Sequence, residues 1–125
     1  MHYRRRYYRV IMIRILLVSN KNDEFLQFES SGHAGMSEKG SDIVCAAVTA
    51  LLKTAVLSLK YAEKCSTGLK VKTDAQSSGN LSAEVIDFSD KDKPGLHYLF
   101  EFLAIGLAAI ETEYPDYVVL QIRTC

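Results

Sequence analysis

The sequence predicts a single α+β domain in the order β-β-α-β-β-α-β, with two helices packed on a sheet. Three observations predict it. Short segments with alternating apolar residues come as two pairs and a final single. Two longer stretches, one after each pair, carry apolar residues at helical spacing. Clusters of turn formers separate them, and strand pairs alternating with helices favour a sheet covered by helices. At 125 residues the chain can hold one core but not two. Its 48% hydrophobic and 24% charged residues make a globular composition, which excludes a disordered chain.

Taken in order, Ile13 to Ser19 is β-branched and aliphatic, and ends at the turn cluster Asn20-Lys21-Asn22-Asp23. Phe25 to Ser31 follows as the second strand of a hairpin, with Leu26 and Phe28 alternating against Gln27 and Glu29. Gly32 to Gly40 reads as loop, with Gly35 and Ser37 inside it. Ser41 is a good N-cap for a helix from Asp42 to about Lys64, with the acid in the first turn and Lys60 and Lys64 near the end. Apolar residues surround most of that helix, so it is expected to be buried on nearly all sides or partly at a subunit interface. Leu69 and Val71 alternate with Lys70 and Lys72, and Leu81, Ala83 and Val85 with Ser82 and Glu84, around a turn at Ser77-Ser78-Gly79-Asn80. Pro94 suits the first turn of a second helix, which Pro115 ends. Tyr117 to Thr124 is the last strand, with Val118, Leu120 and Ile122 on one face. The order of strands within the sheet is not readable from this pattern.

Lys plus Arg and Asp plus Glu each total 15, so the chain is neutral, but the balance is uneven. Arg4, Arg5, Arg6 and Arg9 lie in a first segment, residues 1–11, that holds no acid. Without them eleven basic residues face fifteen acidic ones, a net of −4, so generic nucleic-acid binding by the body would need a local patch that composition does not reveal. The arginines interleaved with Tyr3, Tyr7 and Tyr8 could grip phosphates and stack on bases. A disordered arm, or a non-native start ahead of Met12, is the favoured reading of residues 1–11, and RNA contact the lesser one. Three cysteines without a C-x-x-C pair make neither a disulfide framework nor a zinc site, and point to a reducing cytoplasm. The longest uninterrupted apolar run, Phe102 to Ile110, falls well short of the roughly 20 residues of a membrane-spanning helix.

One region concentrates reactive residue types: Gly32-His33-Ala34-Gly35, then Gly40-Ser41-Asp42-Ile43-Val44-Cys45-Ala46-Ala47-Val48. Nucleophilic thiol chemistry needs a thiolate and a neighbouring imidazole. Cys45 is expected in the first or second turn of the helix capped by Ser41, where free N–H groups and the positive dipole end favour a thiolate. The dipole supplies only about 0.3–1 kcal/mol, less than a single pKa unit. A second partner is required, and His33 is the nearby candidate, at the end of a strand that leads through a short loop to the same helix. Asp42 lies three residues before Cys45 on an adjoining face. It could orient His33 as a third group, or act only as a first-turn acid, and the structural role is favoured. First-turn N–H groups could hold an oxyanion, and Gly32, Gly35 and Gly40 would permit a loop that closes over a substrate. On spacing alone the alternative stands, because a cysteine in an apolar helix is more often a packed core thiol.

Gly32-His33-Ala34, a short glycine-containing loop and Gly40-x-Asp42-Ile43-Val44-Cys45-Ala46-Ala47 resemble the signature of the bacterial ribosomal-processing cysteine protease family. Length and element order from about Met12 to Cys125 resemble it too, which makes residues 12–125 the protease domain. The resemblance implies a catalytic dyad of His33 and Cys45, and a substrate-gating segment between Gly32 and Gly40. It implies a small α+β homodimer without metal or organic cofactor. The substrate would be a protein of the large ribosomal subunit, whose short N-terminal extension is removed. The chain departs from the family pattern at Thr49, where a serine is often found, and in the arginine-tyrosine arm.

Other candidates carry less. Cys65, Cys125, His97 and His2 read as structural, surface or incidental residues. Tyr98, Phe100 and Phe102 read as packing residues, and Lys70 and Lys72 as the solvated face of a strand. Lys39 could help hold a substrate, but a loop lysine seldom does. The rival from another class is a non-catalytic ribosome-assembly module that binds ribosomal protein or RNA, with Cys45 an inert thiol. A thiol hydrolase acting on a small ester or thioester ranks last, since no small-molecule pocket is evident in the sequence.

Overall fold

The computed structural model describes residues 12–32, 39–75 and 80–125, with backbone alone at 39–42. The strands are β1 (Ile13–Ser19), β2 (Phe25–Ser31), β3 (Lys70–Ala75), β4 (Leu81–Asp87) and β5 (Val118–Thr124). The helices are α1 (Lys39–Cys65) and α2 (Lys93–Glu113), the latter entered through a 3-10 turn at Asp90–Asp92. The expected element order and α+β class are therefore found. The strands form one sheet in the order β3-β4-β2-β1-β5. All neighbours are antiparallel except β1 and β5, which run parallel. Two of the four neighbour pairs, β2–β4 and β1–β5, join strands separated by a helix in sequence, which is why the order escaped the sequence pattern.

The β1–β2 turn is closed by Asn20, whose Oδ1 accepts from the backbone N–H groups of Asn22 and Glu24, both at 3.0 Å. Its amide donates to Glu24 Oε1 at 2.8 Å. The pairing register slips between Val18 and Ser19. That bulge, not strict alternation, sets the face of β2. Phe25 and Phe28 both turn inward and are fully buried, with ring centroids 6.2 Å apart. Leu26, expected on the inner face, is only half-buried.

Ile13, Ile15 and Leu17 of β1 line the core with Phe25, Phe28, Leu81, Ala83 and Val118. The helices close it with single stripes: Val44, Val48, Leu52, Ala55 and Leu59 from α1, and Leu96, Phe100, Leu103 and Leu107 from α2. These recur at three- and four-residue spacing, the period of one helix face. Burial of α1 on nearly all sides is not found. Ile43, Leu57 and Tyr61 stand exposed, as do Tyr98 and Phe102 on α2, where only Phe100 of the three aromatics packs inward. A helix laid on one sheet has one face to bury, and an apolar composition elsewhere does not change that. Residues 43–65 and 90–113 are each long and apolar enough to cross a membrane by length and composition, a comparison that counting uninterrupted runs missed. Both nonetheless place their stripes on the sheet, as core helices do.

Each edge strand has one N–H taken by a helix carboxylate. Glu63 Oε2 of α1 accepts from the Val71 N–H of β3, and Glu111 Oε2 of α2 from the Leu120 N–H of β5, each at 2.8 Å. At the entrance to α2, Asp92 accepts from the Ser89 N–H and hydroxyl, which holds its carboxyl below the usual range. The arm of residues 1–11, His33, Gly35 and residues 76–79, which hold all of the expected Ser77–Asn80 turn but Asn80, lie outside the described residues.

Candidate active site

The site is built from the end of β2 and the head of α1. At Gly32 the chain leaves the sheet with φ +92°, a conformation L side chains rarely adopt. A Cβ there would lie 2.4 Å from the Met12 carbonyl oxygen. Glycine is thus required by both backbone angle and space, directly before His33. Six residues, 33–38, then lead to the first residue of α1. Of the glycines assigned to a gating loop, Gly32 belongs to the strand's exit and Gly35 lies outside the described residues. Gly40 is a correction: it sits inside the helix, which begins at Lys39 and not after Ser41. A first-turn N–H has no intrahelical partner in any case, so glycine is tolerated there and its presence did not mark loop.

Cys45 is a free, half-buried thiol between Val44 and Val48, whose side chains fix that face of the helix in the core. Because α1 starts early, Cys45 is in its second turn. The N–H groups free of helical partners belong to residues 39–41, a turn ahead. The dipole's influence falls off over that distance, so the helix end contributes less to Cys45 than a cap at Ser41 would have given. Thr49 Oγ1 lies 4.0 Å from Cys45 Sγ. Sequence reasoning noted Thr49 only as a departure from a serine. The signal that could have found it is the i, i+4 spacing, which stacks two side chains on one helix face. The Asp42 side chain is outside the described residues, so its two roles stay as the sequence left them.

The described histidine, His97, is at the wrong end of the sheet. Its Nδ1 lies 3.1 Å from the Asp23 carbonyl, in the β1–β2 turn, and its Nε2 3.8 Å from Glu101. Cys45 follows the opposite end of β2, seven residues of strand away. Cys65 is exposed, twenty residues further along α1 and so about 30 Å from Cys45. A cavity of about 690 Å³ opens beside it, lined by Leu59, Leu69, Lys91, Leu96 and Leu99. It is remote from the Cys45 thiol. A groove of about 400 Å³ adjoins the end of β2 instead, lined by Leu16, Glu29, Ser31, Asp74 and Ser82 among others. Among the described residues no group of three or more His, Cys, Asp or Glu could hold a metal ion.

The described geometry is that of a small α+β domain with a free, half-buried thiol in the second turn of its first helix, and six residues, 33–38, separate that helix from the glycine that fixes the exit of the preceding strand. The sequence profile of the family described as cysteine protease Prp matches residues 12–119. The chain is 30% identical over 105 residues to the ribosomal processing cysteine protease Prp of Bacillus subtilis (strain 168), covering 84% of this chain and 92% of that protein. The crystal structure of SMU.848 from Streptococcus mutans superposes with a TM-score of 0.71 and 28% identity, over 91% of this chain and 96% of that one. The essential ribosomal processing protease Prp from S. aureus, solved with a substrate peptide, superposes with a TM-score of 0.69. At 20% identity, over 89% of this chain and 99% of that one, it shows the shared fold. The chain belongs to the cysteine protease Prp family. It is a cysteine protease.

Proposed function

We propose that this protease removes the N-terminal extension of a large-subunit ribosomal protein, with Cys45 as nucleophile and His33 as its base. Membership of the Prp family carries the reading. The glycine-fixed exit of β2, with six residues between it and the start of α1, supports the pairing. His33 takes the Cys45 proton. The thiolate attacks the scissile carbonyl carbon, and His33 returns the proton to the leaving amine as the C–N bond breaks. Water, deprotonated by His33, then splits the thioester, releasing the new carboxyl end and restoring the thiol. Asp42 keeps the role of a first-turn acid. The 33–38 segment, with Gly35, gates the substrate. Cys45→Ser and His33→Ala are each expected to abolish cleavage of a peptide spanning the extension, with an unchanged circular dichroism spectrum. Normal turnover by Cys45→Ser would remove the nucleophile assignment.

The protein acts as a homodimer in the cytoplasm, with residues 12–125 as the protease domain. The dimer is supported by the outward stripes of the two helices, Ile43, Leu57 and Tyr61 on α1 and Tyr98, Phe102 and Ile105 on α2, all exposed in the single chain. Large apolar side chains left exposed along helix faces suit a protein contact. The compartment is supported by three free thiols, which suit a reducing environment.

A further inference from the structure

The hydroxyls of the helical threonines do not all do the same thing. Thr54 Oγ1 donates to the Ala50 carbonyl at 2.7 Å, and Thr112 Oγ1 to the Ala108 carbonyl at 2.9 Å. Both follow the usual habit of a threonine inside a helix, which returns its hydroxyl to the carbonyl four residues earlier. Thr49 departs from that habit. Its Oγ1 faces the Cys45 sulfur at 4.0 Å, and among the described residues no carbonyl takes its proton.

The surroundings fix this arrangement. Val48, just before Thr49, and Leu52, three residues after it, are buried, as is Val44 just before Cys45. The backbone of this stretch is therefore clamped to the core. A β-branched side chain has few χ1 positions available in a helix. A neutral thiol is a weak acceptor, whereas a thiolate is a full charge that a neighbouring O–H stabilises. At 4.0 Å either atom could donate, and a hydroxyl that donates to sulfur gains most when the thiol has lost its proton. The start of α1 at Lys39 makes this more valuable, because Cys45 lies beyond the first turn where the dipole acts.

We propose that Thr49 is a positioning residue for the nucleophile, donating its hydroxyl proton to the Cys45 sulfur and holding that sulfur for attack. The inference rests on the reading of Cys45 as nucleophile.

The test uses the full chain with Cys65→Ser and Cys125→Ser, so that Cys45 is the one thiol that reports. Iodoacetamide alkylation is followed against pH for Thr49, Thr49→Val and Thr49→Ser, beside kcat and KM for peptide cleavage. Thr49→Val keeps the shape and loses the donor. Its alkylation profile is expected to move to higher pH, and its kcat to fall about tenfold at unchanged KM, the scale of one hydrogen bond to a charged group. Thr49→Ser is expected to stay near wild type in both. Should Thr49→Val unfold, Thr49→Ala against Thr49→Ser makes the same comparison. Coincident profiles for Val and wild type would overturn the proposal, as would equal losses in Val and Ser, which would mean packing alone. The nucleophile reading fails separately, through cleavage by Cys45→Ala, which the alkylation profiles do not depend on.

Discussion

A hydrogen atom is all the side chain that position 32 can hold. The φ of +92° and the Met12 carbonyl oxygen 2.4 Å from any Cβ leave no rotation that would relieve a methyl group, because the obstacle is backbone. Gly32→Ala is expected to cost about 1–3 kcal/mol through strain. It is also expected to displace His33 and lower cleavage by as much as about 10²-fold, since small misplacements of a catalytic group are that expensive. Thermal unfolding and peptide kinetics check the two parts, and an unaltered variant would show that the strand exit does not govern the site. The reactive residue types were legible because a thiol, an imidazole and glycines recur in one short stretch. The beginning of α1 was not. Gly40 and Ser41 both read as boundary residues, and the first turn of a helix tolerates such residues because its N–H groups have no partner to lose. Those two positions decided how far Cys45 stands from the helix end.

At the scale of elements, a carboxylate from each helix takes one N–H of an edge strand, Glu63 on β3 and Glu111 on β5. An edge strand with free N–H groups invites pairing with other chains. Glu63→Ala leaves the half-buried Val71 N–H without its acceptor and is expected to cost about 1–3 kcal/mol. Glu63→Gln, which keeps an acceptor oxygen, is expected to cost less. Urea unfolding of the two variants separates them, and equal stabilities would mean that water satisfies the edge as well as the carboxylate does. Strand and helix identities were readable from periodicity. The inner face of β2 was not, because the bulge at Val18–Ser19 adds a residue and turns Phe25 inward where alternation favoured Leu26. The number of buried faces on α1 was not readable either. Composition reports how apolar a helix is, whereas burial depends on how many elements are present to cover it.

For the whole molecule, two apolar stripes remain uncovered once the sheet has taken one face of each helix. Phe102 and Ile105 are 62% and 68% exposed. If a second copy covers them, light scattering will give twice the chain mass of 14.0 kDa. Phe102→Glu with Ile105→Glu is then expected to give a monomer that stays folded, since neither side chain belongs to the core. A monomeric wild type would contradict the dimer. The core and the sheet fix the exit of β2 at Gly32 and the body of α1, with six residues between them in sequence. The central claim concerns what happens there. The most direct measurement is mass spectrometry of a peptide spanning the N-terminal extension of the host's own large-subunit ribosomal protein, incubated with reduced wild type and with Cys45→Ala. The account predicts a single cut by wild type and an intact peptide with Cys45→Ala. Cleavage by both, or by neither with the protein folded, would contradict it.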